Sequence, residues 1–288
     1  MATLQRETLP YELRQKAKKE LHENEKHIDA HVESFRRWVE SLPHITFPKD
    51  PNLLLPFLRY AKYRHDKAQA RLDNFCTLRA SEINGSPRWF DSYSVDDPIV
   101  ETYLKSGVLV ELGRTKEGVA MVLVRLANWD VDVLPVNMMR PLIYMDLDRF
   151  CADPITQITG YGMVFDMTGA SNRQVMHQKG KSEMKLEMKV WQILRVKDKI
   201  NKAYDKVPGL RDIMPTEYGG YNGKLSYLMT NNAKRFRAFY SKPSPWAGIR
   251  VDESKRPDTA KSYMRDYKDI STDIFETKGT YIAVDPGD

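Results

Sequence analysis

Three histidines crowd the stretch LHENEKHIDAH: His22, His27 and His31. His27 and His31 stand one helical turn apart, a spacing that can hold zinc. No glutamate is placed as in the HExxH metalloprotease pattern, so solvated helix residues are the expectation. Asp166, in FDMTG, ends an apolar run, and ligands of α/β sheets bind beside the carboxyl ends of strands. A lone aspartate followed by threonine and glycine is better read as the cap of its own turn. Cys76 and Cys151 could form a bridge or share a metal, but two buried structural thiols suit a reducing compartment best. There is no GxGxxG after a strand, no Walker lysine, no GxSxG and no CxxC. No constellation of acid, base and nucleophile can be assembled. The expectation is therefore a protein that is not an enzyme and needs neither metal nor cofactor.

The net charge of +6 is concentrated. Residues 173–211 carry 11 Lys and Arg against 4 Asp and Glu, which accounts for the whole excess. The run lacks interleaved stacking aromatics, so nucleic-acid binding is not expected. Residues 11–40 carry seven charges of each sign, the signature of a solvated helical face. With 41% hydrophobic and 29% charged residues, the composition is that of a globular chain with a real core. No run reaches transmembrane length, and MATLQRETLP lacks the apolar core of a secretory signal, so a cytoplasmic protein is expected.

The elements that must position these residues follow from periodicity and punctuation. From Tyr11 to Leu42 there is neither Gly nor Pro, and Ile28, Val32, Phe35, Val39 and Leu42 recur at threes and fours, which predicts one helix stopped by Pro43. DPNLLLPFLRYAKY and HDKAQARLDNFCTLRAS predict a short helix and a longer one capped near Asp66, completing a helical unit over residues 1–83. INGSPRWFDSYSVDDP is a linker rich in turn formers. GVLVEL and GVAMVLVRLANW, separated by GRTKEG, predict a hairpin or strand pair. VNMMRPLIYMDLDRFCAD predicts an apolar helix with Pro141 in its first turn, and TGYGMVFDMTG a short strand. Residues Lys181 to Val207, free of Gly and Pro, predict a basic amphipathic helix. IMPTEYGG closes it with a tight turn in which Gly219 and Gly220 are free to take positive φ. The last fifty residues, with KPSPW, DESKRPDT and DPGD, predict an extended tail.

Taken together, SFRRWVESLPHI, the helices over residues 52–81, GYGMVFDMTGAS, IMPTEYGG, and the tail's VDESKRP and FETKGTYIAVD resemble the CRAL-TRIO (Sec14-like) lipid-transfer family. The tail resembles C-termini of the insect α-tocopherol-transfer-like and clavesin-like branch. The resemblance implies an α/β fold: a small N-terminal helical domain (1–83), then a mixed or parallel sheet flanked by helices (84–240), then the tail (241–288). Between FDMTG and EYGG the space is short by about one strand-helix unit. KVWQ resembles the end of the family's first helix there. ILRVKDKI resembles either the basic start of the next strand or the basic end of the gate helix.

The family's pocket maps onto Ile143, Tyr144 and Leu147 of the apolar helix, and Tyr161, Met163 and Phe165 at alternate strand positions. Its phosphoinositide patch maps onto Arg195, Lys197 and Lys199. The resemblance thus implies a monomeric cytoplasmic carrier, peripheral to membranes, for a hydrophobic small molecule of the tocopherol, retinoid or phosphoinositide kind. Such a carrier docks on anionic membrane surfaces through the basic face. The alternative is a shortened domain that has lost its pocket and serves as a membrane- or protein-binding module.

Overall fold

The computed structural model describes residues 9–80, 93–174, 189–191 and 197–258. These divide into two compact units. The first holds 9–80, 147–158 and 243–258, and the second holds 93–146, 159–174, 189–191 and 197–242.

The first unit is helical. Where an unbroken helix is expected over 11–42, there are two: α1 (Tyr11–Leu21) and α2 (Ile28–Glu40). His22 closes α1 at φ 60°, a left-handed position. The break has a tertiary cause. Glu23, the next residue, is buried and accepts from Arg59 at 2.7 and 3.1 Å and from Tyr63 at 2.7 Å. A carboxylate so far from water needs these partners, and a continuing helix would carry it past them.

The apolar stripe of α2 behaves as its spacing requires. Ile28, Val32, Phe35 and Val39 are buried, while Arg36 bridges Glu33 and Glu40 on the solvent side. A two-residue strand, β1 (Ile45–Thr46), precedes α3 (Pro51–Tyr60), whose first turn Asp50 caps by accepting from Asn52 N at 2.9 Å. Then comes α4 (His65–Ala80), starting one residue ahead of Asp66. Leu54, Leu58, Ala68, Leu72 and Cys76 close the core between α2, α3 and α4.

The second unit opens with α5 (Pro98–Ser106), capped by Asp97, after a linker most of which lies outside the described residues. The hairpin forms as expected: β2 (Leu109–Arg114) pairs antiparallel with β3 (Ala120–Arg125), with one irregularity between Glu111 and Gly113. α6 (Val136–Cys151) follows, its last residues belonging to the first unit. Pro141 is its sixth residue, not in the first turn as expected, so the helix forgoes one backbone hydrogen bond in its second turn. α7 (Pro154–Thr159) leads to β4 (Tyr161–Asp166), which pairs parallel with β3.

A three-residue strand, β5 (Lys189–Trp191), pairs parallel with the other edge of β4, giving the order β2-β3-β4-β5. This corrects two expectations. Residues 189–191 are strand and not part of a helix over 181–207, and KVWQ is not a helix end. The free edge of β4 supplies the reason, because its N–H and C=O groups need partners that a helix cannot give. Next among the described residues come α8 (Lys197–Lys206), the single turn α9 (Leu210–Ile213) and α10 (Leu225–Tyr240).

The last described stretch, 243–258, begins the segment whose composition reads as an extended tail. It returns to the helical unit instead. β6 (Arg250–Val251) pairs antiparallel with β1, and Trp246 and Ile249 are buried in the core of α2, α3 and α4. The remainder of that tail, 259–288, lies outside the described residues.

Candidate ligand wall and basic helix

Strand alternation puts Tyr161, Met163 and Phe165 on one face of β4. The parallel register sets them beside Ala120, Val122 and Val124 of β3, so six positions share that face. All three β4 residues are buried, as are Ala120 and Val122. The opposite face is a different environment. There Val110, Leu112, Met121, Leu123 and Val164 pack with Val207, Leu210, Met214, Leu225 and Leu228 into one cluster, closed by the helices that follow β5. Of the α6 residues, Ile143 and Tyr144 are half-buried and lie in the sheet unit, whereas Leu147 is buried and belongs to the helical unit. Sequence reasoning named the β4 half of this sheet face and missed its β3 half. The signal was present in GVAMVLVR, where the same alternation runs.

At the carboxyl end of β4, two sequence motifs meet. Asp166 accepts from Thr168 N at 2.9 Å, which is the turn-capping role expected for it. It also accepts a short hydrogen bond from the Tyr218 hydroxyl, 52 residues later in IMPTEYGG. Burial alone would raise the Asp166 pKa, but the bonds from Tyr218 and Thr168 and the charge of Arg125, its register partner, hold it below the ordinary value. The Tyr218 hydroxyl is pushed up, by burial first and by Asp166 second. Tyr204 of α8 donates to the Tyr218 carbonyl at 2.5 Å.

The rest of the turn is equally committed. Glu217 accepts from Leu225 N at 3.0 and 2.9 Å and so caps α10. Gly219 takes φ 75°, while Gly220 is needed for another reason, since a Cβ there would sit 2.1 Å from the Met214 carbonyl oxygen.

Lys197 opens α8, but the side chains of Lys197 and Lys199 and the whole of Arg195 lie outside the described residues. Ile200, Ala203, Tyr204 and Val207 turn the helix's apolar side to the sheet cluster, and Asn201, Asp205 and Lys206 are exposed. Cys76 is buried as expected, Cys151 is only half-buried, and neither is in a disulfide.

His22 and His27 are exposed, as expected, with Asn24 beside His27. His31 departs from the solvated expectation: it is half-buried, and its Nδ1 lies 2.9 Å from His65 Nε2. Burial, then the neighbouring His65 and His27, hold the His31 pKa below its ordinary value. Among the described residues there is no group of three or more His, Cys, Asp or Glu that could hold a metal ion. No described helix is long and apolar enough to cross a membrane.

An α/β architecture with a four-stranded mixed sheet, apolar and largely buried on both faces of β3 and β4, defines the class. No family model matches the chain. It is similar to human and rat clavesin-2, 26% identical over 208 residues, which is 72% of this chain and 56% of the relative. It is likewise similar to the human alpha-tocopherol transfer protein-like protein, 25% identical over 263 residues, 78% of this chain and 74% of the relative. The chain thus spans little more than half the length of the clavesins it matches.

Proposed function

We propose that this protein binds and transfers a hydrophobic small molecule of the tocopherol, retinoid or phosphoinositide class, as a monomer in the cytoplasm at the surface of anionic membranes. The observation that carries the reading is the apolar face of Tyr161, Met163 and Phe165, continued by Ala120, Val122 and Val124 and set apart from the helix-sealed core. An apolar wall enclosing a ligand gains roughly 25 cal/mol for each Å² removed from water, enough for retention without covalent chemistry. The similarity to an alpha-tocopherol transfer protein-like protein supports the same class. Ile143 and Tyr144, which lie in the same unit, complete the wall in this reading. Arg195, Lys197 and Lys199 supply the cationic contact with phosphoinositide headgroups, where each basic side chain near an anionic surface contributes about 1 kcal/mol.

A second reading draws on the spacing between FDMTG and EYGG, short by about one strand-helix unit against the family it resembles. A domain short by one strand-helix unit has a narrower sheet, and it acts as a membrane- or protein-binding module with no enclosed ligand. Native mass spectrometry of the purified protein, with lipid extraction of the same sample, separates the two. A stoichiometric adduct of lipid mass is the expected result. A folded protein without an adduct transfers the proposal to the module reading, and vesicle binding then becomes its test.

A further inference from the structure

The helical unit buries an imidazole for which the fold has no hydrogen bond. His44 is 1% exposed, and neither ring nitrogen has a hydrogen-bond partner. It precedes β1, and its carbonyl accepts from Asp252 N at 2.8 Å, so it sits on the seam where residues 243–258 return to the unit. Its Nε2 stands 3.5 Å from Asp73 Oδ2, a charge contact rather than a good hydrogen bond.

The same carboxylate is already engaged. Arg256 donates to both Asp73 oxygens, at 2.7 and 2.9 Å, and to Thr77 Oγ1 at 2.6 Å. Glu253 accepts from Arg256 at 2.5 and 2.8 Å. The charges facing His44 are therefore Asp73 from α4, and Arg256 and Glu253 from the returning segment. Cys76 and Arg79, further along α4, share this field.

We infer that residues 243–258 form an acid-released strap, closed while His44 is neutral and lifted when His44 takes up a proton. A neutral imidazole is tolerated in this pocket. A protonated one would be a second cation at a carboxylate that already accepts both Arg256 bonds, in a site buried away from solvent. Lifting the strap removes Arg256 and opens His44 to solvent together. Burial first, and the Arg256 charge second, hold the His44 pKa below its ordinary value against the opposing pull of Asp73 and Glu253. The sign follows from linkage: the open state binds the proton more readily, so closure is fully favoured above the ordinary histidine pKa and is lost as pH falls below it. That ordinary value, about 6.5, also caps the effect at about tenfold at pH 5.5, one unit lower. What opening uncovers is aromatic. Trp246 leaves its ring contacts with Phe47 and Phe75, at 6.4 and 5.3 Å between centroids.

Hydrogen exchange of the full chain at pH 7.5 and 5.5, corrected for intrinsic exchange, reads the strap directly. Protection of amides in 244–252 is expected to fall about tenfold in acid relative to amides of α2 and α3. In His44→Leu, which removes no hydrogen bond of the ring, the fall should vanish. Arg256→Gln should leave the strap exchanging fast at both pH values while α2 and α3 stay protected. A change under twofold, an equal fall in His44→Leu, or an equal loss across α2 and α3 overturns the inference. So does a response that disappears in His31→Gln instead. Should His44→Leu not fold, the NMR titration of His44 in the unaltered protein decides, and an ordinary pKa overturns it.

Discussion

In the helical unit, three arginines are taken out of water and each is met by a carboxylate: Arg59 by Glu23, Arg79 by Asp148 and Arg256 by Asp73. In the sheet unit, the buried side chains on both faces of β3 and β4 are apolar, and their charged residues, Arg125 and Asp166, stand at the strand ends. The partners in the first unit lie 36, 69 and 183 residues apart in sequence. A buried charge accepts almost no substitute for its partner, so such pairs specify which distant segments join. An apolar face accepts any filling of the right volume. The unit built on ion pairs is thus bolted to one arrangement, whereas the apolar faces of the other tolerate repacking, which is what the proposed ligand wall would need.

The sharpest way to break this contrast is to remove one bolt. Arg59→Met leaves the buried Glu23 carboxylate without its cation while the Tyr63 hydroxyl still donates to it, and it should lower stability by about 3–5 kcal/mol in urea unfolding. The double variant with Glu23→Gln should recover a large part of that loss. Full additivity of the two changes would mean that the pair is not the bolt.

Next in size is a matched pair of methionines. Met121 lies on the helix-sealed face and Met163 on the wall, at 0% and 2% exposure. Met121→Ala should cost about 2–5 kcal/mol, the range for a packed methionine. Met163→Ala should cost less than 2 kcal/mol in the ligand-free protein and should also reduce the co-purified lipid. Equal costs with unchanged lipid would make the wall ordinary core.

A smaller effect tests the turn. Gly220→Ala forces the Met214 carbonyl to move and should cost about 1–3 kcal/mol. Gly219→Ala, with no atom within 4 Å of the added Cβ, carries only the left-handed backbone penalty of about 1–2 kcal/mol.

The smallest change is pH-dependent. Tyr218→Phe removes the hydroxyl that helps keep Asp166 ionised, and at pH 7 it should cost about 1 kcal/mol, discounted because the pair is half-exposed. Because the Asp166 pKa is lowered in the fold, this contribution is present above the ordinary aspartate value of about 3.9 and lost as pH falls through the lower folded value. Urea midpoints of the two proteins should therefore draw together as pH falls below the ordinary aspartate value, whereas the His44 response begins about three units above that value.

The legible parts of the fold were those governed by local pattern. The α2 stripe, the GRTKEG hairpin and the alternation of GYGMVFD appear in the structure where spacing put them. The failures share one cause. Residues 11–42 and 181–207 read as unbroken helices because they contain neither glycine nor proline. The first is interrupted by Glu23 reaching Arg59, the second by β5 completing the edge of β4. Local propensity is worth only tenths of a kcal/mol per residue, and a buried charge or a bare sheet edge outweighs it. On the candidate site, the strand residues were legible through alternation. The Tyr218–Asp166 bond was not, although both motifs had been singled out, because nothing within either motif names the other.

By itself, then, the sequence determined which side chains are apolar in step with a helix or a strand, and where the basic surplus lies. It also required that residues 213–220 be a turn. Each depends on neighbours a few positions away, whose geometry the backbone sets. Only the tertiary structure decided where α1 stops, which carboxylate meets which arginine, and that residues 243–258 come back to cover His44. Those outcomes depend on partners up to 183 residues distant, and the free energy of taking charge and strand edges out of water selects them only once the chain has closed on itself.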